Sequence, residues 1–163
     1  MPPNRFRTGR LTSSAVDPVI ADLGFAAFAE RNRPRYTLYA GARLSTGAHS
    51  SAAVEATLAS AREGWQRLMS GPCPAAEVWG QLRLQVERQG ERVAAQNPVL
   101  AELYQRLPHA SADSVVLCRL LGLPVAEAAE LMGVEPSAVE AALTAARRAL
   151  PQLGDTEAPL RHL

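Results

Sequence analysis

The sequence predicts an all-α fold, and three observations carry that prediction. Apolar residues make up 47% of the chain, with Ala and Leu dominant and aromatics at only 5%, which leaves too little of the β-branched and aromatic material that lines sheets. Those apolar residues recur at offsets of three and four, the period of a helix with one buried face. Pro and Gly punctuate the runs where helix starts and stops are needed. A chain of 163 residues can bury a real core as one domain or as two small helical ones.

Taken in order, residues 1–16 mix Pro, Asn, Arg, Ser and Thr without periodicity and read as a flexible basic arm. Asp17 before Pro18 is a cap with proline at the first helical position, and Val19, Ile20 and Leu23 follow on one face. Phe25, Phe28, Tyr36, Tyr39 and Leu44 continue as helical anchors, with Pro34 opening a second helix. Residues 45–51, STGAHSS, read as a polar loop, and a helix over Ala52 to Met69 carries Val54, Leu58, Ala61, Trp65 and Leu68 on its buried face. After the turn signal SGPCP, Pro74 opens a helix from about Ala75 to Ala95, striped by Val78, Trp79, Leu82, Val86 and Val93. Trp65 and Trp79 read as core side chains; base stacking is the alternative and requires exposure.

Gln96-Asn97-Pro98 interrupts the pattern, because a residue before proline is pushed out of helical geometry. The expected division is an arm at 1–16, a helical domain at 17–95, a linker at 96–98, a second domain at 99–150 and a tail at 151–163. The second domain begins with helices over Val99 to Arg106 and Ser111 to Leu121, the latter capped by Gly122. Pro124 then opens a helix carrying Glu127, Ala128, Ala129 and Leu131, Gly133 makes a tight corner, and Pro136 opens a last helix striped by Val139, Leu143, Ala146 and Leu150. Two short helices around a glycine corner, the second longer and amphipathic, describe a helix-turn-helix. The expected cores are Val54, Leu58, Trp65, Trp79, Leu82 and Val86 in one lobe, and Val116, Leu117, Leu120, Leu131, Val139 and Leu143 in the other.

The chemistry-bearing residues are sparse. Cys73 and Cys118 are the two cysteines; neither has a CxxC partner or a histidine at metal-ligand spacing, so both read as free thiols, Cys118 inside an apolar run. His49 and His109 fall in loop-like segments and His162 in the tail. With no nucleophile–base constellation and no phosphate loop, the expectation is a protein without catalytic activity, metal or cofactor. No apolar run is long enough for a membrane span and no signal-peptide core follows the first residues, so a cytoplasmic protein with no membrane partner is expected.

Every basic residue is an arginine, and they are unevenly placed. Residues 1–98 hold 12 Arg against 8 acids, a charge of +4, while residues 99–163 hold 5 Arg against 8 acids, a charge of −3. Attraction for phosphate therefore belongs to the first half.

The stretch LPHASADSVVLCRLLGLPVAEAAELMGVEPSAVEAALTAARRAL, residues 107–150, resembles region 4 of the extracytoplasmic-function sigma factors in the register of Leu107-Pro108, Gly122-Leu123, Glu127-Ala128-Ala129 and Gly133-Val134. The first half resembles region 2 of the same family through Phe25, Phe28, Tyr36, Ala40, Arg43 and Leu44, then Trp65, then Val78-Trp79. The resemblance spans nearly all of residues 25–150 and implies a region 2-like bundle followed by a region 4-like helix-turn-helix. It also implies docking on core RNA polymerase, with region 2 reading the −10 promoter element and region 4 the −35 element.

Two departures stand against that pattern. Where the family places Thr, Lys, Ser or Arg, and Arg on the DNA-facing side of the last helix, this chain has Ala138, Glu140, Ala142 and Ala145; alanine can touch a thymine methyl but cannot make bidentate bonds to a purine. The acidic cluster that helps grip the polymerase is replaced by Ser50, Ser51, Ala52 and Ala53, with Glu55 alone nearby. The candidate DNA contacts are Ser137, Ala138, Glu140, Ala141, Thr144, Arg147 and Arg148 on the last helix, with Arg83, Arg88 and Arg92 on the helix opened by Pro74. Arg88 and Arg92 share a face that suits a phosphate, or, interleaved with Glu87 and Glu91, a solvated surface. Arg147 and Arg148 suit first of all the negative end of their own helix. Candidate partner contacts are Arg31, Arg33 and Arg35 around Pro34, with Arg43 and Glu55.

Two functions are expected from these residues. One is a sigma-factor-like transcription protein that associates with RNA polymerase core, promoter DNA or both. The other is a degenerate sigma scaffold without specific DNA binding, acting as an interaction module for a regulatory protein or a second copy of itself.

Overall fold

The computed structural model describes residues 18–44, 46–90 and 98–151. Among them there are eight helices and no strand: α1 (Pro18–Leu44), α2 (Gly47–Glu63), α3 (Trp65–Met69), α4 (Pro74–Gly90), α5 (Pro98–Arg106), α6 (His109–Val115), α7 (Val125–Met132) and α8 (Pro136–Ala149), with a π-helical turn, Val116–Leu120, prolonging α6. The all-α prediction holds. The expected arm at 1–16, the Asp17 cap, Arg92 and Val93, the boundary residues Gln96 and Asn97, and the tail beyond Pro151 lie outside the described residues.

Four boundaries differ from those expected, each for a local reason. Pro34 does not open a new helix; α1 runs through it for 27 residues. A proline there removes one backbone hydrogen bond and crowds the preceding turn, at about 3 kcal/mol. Yet Ala29, Tyr36, Tyr39, Ala40 and Leu44 continue one buried stripe across it, and Asn32 Nδ2 to Phe28 O and Thr37 Oγ1 to Arg33 O, both 2.9 Å, add side-chain bonds to the carbonyls on either side. Burial of both halves against the same core outweighs the proline.

The polar segment at 45–51 is helical from Gly47 onward. Thr46 is extended at the cap, its hydroxyl 2.6 Å from His49 Nδ1, and Ser50 turns its hydroxyl back to Gly47 O at 3.0 Å. These small side chains satisfy themselves locally, so their polarity does not oppose the helix. The helix expected over Ala52 to Met69 is broken at Gly64, which separates α2 from α3. Finally, α6 starts at His109, and its last turn widens so that Leu121 N–H reaches Val116 O at 2.9 Å, before Gly122 ends it at φ 72°. His49 and His109, expected in loops, both sit in first helical turns.

Helices α1, α2 and α4 pack on one another, and α8 packs on α6 and α7. The rings of Phe25 and Phe28 meet Trp65 at centroid distances of 5.6 and 5.0 Å, and Tyr39 meets Trp79 at 4.5 Å; both tryptophans are buried core residues. Of the expected core, Val54, Leu58, Leu82, Val86, Val116, Leu117, Leu131, Val139 and Leu143 are also buried. Leu120 is not: the π-helical turn swings it and Cys118 to the edge, where both are only partly covered. Apolar residues from both sides of 96–98 belong to one contiguous cluster. No helix among the described residues is long and apolar enough to cross a membrane.

The two halves also meet at the glycine corner, where Cys73 Sγ lies 3.5 Å from Gly133 O. Gly133 has φ 67°, and a Cβ placed on it would lie 2.2 Å from the backbone nitrogen of Ala76 in the first turn of α4. Gly122 has a similar φ of 72° but open space around it. Gly122→Ala should therefore cost only the left-handed backbone strain, about 1 kcal/mol. Gly133→Ala adds a collision with backbone that cannot move aside, and should cost about 3 kcal/mol or more in urea unfolding. Equal losses at the two positions would show that α4 does not press on the corner.

Candidate functional site

The helix-turn-helix is assembled by short-range signals. Pro124, extended at ψ 148°, leads into α7, which buries Ala128, Ala129, Leu131 and Met132. Gly133 turns the chain in the left-handed region, where its N–H reaches back to Glu130 O at 3.3 Å. Glu135 is again extended, and Pro136 takes the first turn of α8, where its missing N–H costs nothing. Val139, Leu143 and Ala146 then face inward, with Leu150 buried just beyond the helix end.

The opposite face of α8 is open. Ser137, Ala138, Glu140, Ala141, Thr144, Ala145, Arg147 and Arg148 are all exposed, and Ala142 is partly so. Thr144 donates its hydroxyl to Glu140 O at 2.9 Å, so even this polar group is engaged by its own helix. Between Pro136 and Ala146 no side chain can make a bidentate bond to a base edge. Cationic reach is confined to Arg147 and Arg148 in the last turn.

The strongest electrostatic feature lies elsewhere, at a residue that no motif singles out. Asp113 on α6 is fully buried. Its Oδ1 accepts hydrogen bonds from Tyr39 on α1 at 2.7 Å and from Tyr104 on α5 at 2.6 Å. Arg83 on α4 places Nε 3.0 Å from Oδ2; the N–H is not aligned for a hydrogen bond, so the contact is ionic. Arg43 on α1 stands 3.8 Å from Oδ1, donates to Tyr39 Oη at 2.9 Å and sits over the Tyr104 ring, 3.6 Å from its centroid. Outside this group, Arg83 also approaches Glu87 at 3.7 Å, and Glu87 approaches His109 Nδ1 at 3.2 Å.

Four helices thus converge on one carboxylate, and both of its cations come from the first half of the chain. Burial, reinforced by the negative charge of Asp113, pushes the phenols of Tyr39 and Tyr104 well above their ordinary value. Burial alone would lower the guanidinium of Arg43, but the nearby Tyr39, Tyr104 and Asp113 outweigh it and hold the group more firmly charged. Tyr36, buried in the same core, is raised by burial.

The arginines expected to meet outside ligands are largely engaged within the chain. Arg83 and Arg43 are the counter-ions of Asp113. Arg31 pairs with Glu130 at 2.5 Å and Arg35 with Glu127 at 3.5 Å, both acids on α7, while Arg33 pairs with Glu55 on α2. Arg88 is exposed, and Arg92 lies outside the described residues. The structure therefore brings together Arg43, Arg83, Tyr39, Tyr104 and Asp113, leaves the α8 candidates as one continuous exposed face, and turns Arg31, Arg33 and Arg35 toward acids of their own chain. Asp113 had a signal: it is an acid in the middle of the stripe Ala112, Val115, Val116, in a half that is net negative beside one that is net positive.

Residues 99–150 match the family described as Sigma-70, region 4, so the all-helical C-terminal stretch, from α5 through α8, is similar to a sigma region 4 helix-turn-helix. No curated protein and no solved structure matches the chain.

Two outcomes follow from the Asp113 cluster. Asp113→Asn leaves Arg83 and Arg43 partly buried without their counter-charge and should lower unfolding stability by about 3 kcal/mol, the low end for a broken buried pair because Arg83 keeps 26% exposure. Adding Arg83→Gln should return part of that loss in a double-mutant cycle. The second concerns alkali. Tyr36, Tyr39 and Tyr104 are all the tyrosines of the chain, and each is raised from 10.0. The folded state then binds more protons than the unfolded one above that value, so stability is whole below pH 10 and declines as pH rises further. Near-ultraviolet titration should show no tyrosinate at pH 10 in the native protein, with ionisation arriving only as the fold is lost; a tyrosine ionising normally in the folded state would contradict the cluster.

Proposed function

We propose that the chain is a sigma-factor-like transcription protein that works with RNA polymerase and promoter DNA, and that its contact with DNA is made through phosphates far more than through base edges. The observation that carries this reading is the exposed α8 of a region 4 helix-turn-helix at residues 99–150. Its finer form assigns the chain to the extracytoplasmic-function type, with a region 2-like part over 17–95 and the region 4 part over 99–150. The aromatic anchors Phe25, Phe28 and Tyr36 and the Trp65 and Val78-Trp79 positions support that assignment by their register.

The arginine excess of the first half is largely taken up by acids of the chain itself, so phosphate contact falls to Arg88 on α4 together with Arg147 and Arg148 at the end of α8. Glu140, in the middle of the exposed face, opposes it. The alanines around Glu140 favour a second reading: a sigma scaffold that has kept its fold and lost base recognition, and serves as an interaction module.

Affinity of the full chain for mixed-sequence and promoter-like duplexes, measured against salt, separates the two. On the leading reading, binding weakens with salt at a log–log slope of about −3, the mark of roughly three phosphate contacts. Glu140→Lys combined with Ala145→Arg should raise affinity and steepen the slope by about 0.9 for each further phosphate neutralised. A wild-type chain that binds neither duplex nor purified core polymerase would leave the interaction module as the function.

A further inference from the structure

We infer that the exposed face of α8 is a self-association surface, on which a second copy of the chain docks its own α8 antiparallel. The inference goes beyond the transcription reading and does not depend on DNA being bound.

Charge complementarity under a two-fold axis carries it. Looking down α8, the buried residues Val139, Leu143 and Ala146 define one side. At 3.6 residues per turn the opposite side is centred on Ser137, Ala141, Thr144 and Arg148, whose spacings of four, three and four are those of a coiled-coil seam. Glu140 and Arg147, seven residues apart, fall on the same flank of that seam. A two-fold axis between antiparallel helices maps each flank onto itself, so a residue near one end faces its opposite number near the other end. With the axis between Leu143 and Thr144, Glu140 of each copy meets Arg147 of the other, and the pair forms twice.

The chain holds these charges in reserve. Glu127 and Glu130 on α7 are paired with Arg35 and Arg31, whereas among the described residues no ion pair forms to Glu140, Arg147 or Arg148. A parallel two-fold arrangement would carry each flank to the opposite side of the seam, where Glu140 and Arg147 would face Ala138, Ala142 and Ala145 of the other copy and the ion pairs would not form. The side chains at the seam centre are short, which lets two helix backbones approach without displacing anything.

The face is limited in extent. A helix of 14 residues is about 21 Å long, and one side of it covers well under the roughly 800 Å² per partner of a standard stable interface. The association is accordingly weak and concentration-dependent, and it competes with a duplex for the same surface.

Sedimentation velocity on the full chain, without DNA, tests this up to about 1 mM. The wild type should move from monomer toward dimer as concentration rises. Glu140→Arg and Arg147→Glu should each weaken the dimer at least tenfold, and the two together should restore it, because the reversed pair reforms across the axis. Helical circular dichroism confirms that each variant is folded; all altered positions are exposed. A wild type that stays monomeric throughout overturns the proposal, as does a dimer that both single reversals leave untouched.

Discussion

The constraint on which the rest of the structure depends is the burial of a charge. A carboxylate fully withdrawn from water is tolerable only if cations and hydrogen-bond donors surround it, and Asp113 finds them on three other helices: Tyr39 and Arg43 on α1, Arg83 on α4 and Tyr104 on α5. The helix-turn-helix contributes the acid through α6, and the first half contributes both arginines. Opening the two halves would strip the charge of both arginines and of Tyr39 and leave it Tyr104 alone. The apolar cluster supplies most of the stabilisation, but it is indifferent to small sliding motions, whereas an ionic knot with bonds of 2.6 to 2.9 Å is not.

The surface pairs do a different job. Arg31 with Glu130, and Arg35 with Glu127, join α1 to α7 across solvent, where isolated pairs contribute little free energy. Their effect is to neutralise: they satisfy the acids of α7 within the chain, whereas Glu140, Arg147 and Arg148 on α8 have no ion pair among the described residues. The uneven totals of +4 and −3 seen in the sequence are thus in part the two sides of an internal interface, and only the remainder is available to an outside ligand.

Most of the fold was legible from the sequence because helix signals are local. The prolines at 124 and 136 and the glycines at 122 and 133 mark their boundaries through backbone geometry alone, and the three-and-four spacing of Val139, Leu143 and Ala146 names the buried face of α8 without further information. What was not legible involved competition between local preference and distant packing. Pro34 should end a helix by every local rule, and continues it because Tyr36, Tyr39 and Leu44 are held by a core contributed from elsewhere. The Asp113 cluster joins residues up to 74 positions apart, and spacing along a chain does not reveal which arginines of an arginine-rich half will meet one acid in the other. The residues of the exposed α8 face follow from periodicity, but that they have no ionic partner among the described residues becomes visible only once the partners of Arg31, Arg35 and Arg83 are known.

The leaning of Gly133 on Ala76 acquires a further meaning beside the Arg83 contact. Positions 76 and 83 lie on one helix, seven residues and about 10 Å apart, and both bear on the C-terminal part, one at the corner before α8 and the other at α6. A single contact would act as a pivot; two along one rod leave only rotation about the rod, which the Arg31–Glu130 and Arg35–Glu127 pairs from α1 to α7 oppose. Whatever engages α8 therefore meets a handle whose pitch is set by α4, and torque applied at its exposed face is passed on to the N-terminal half.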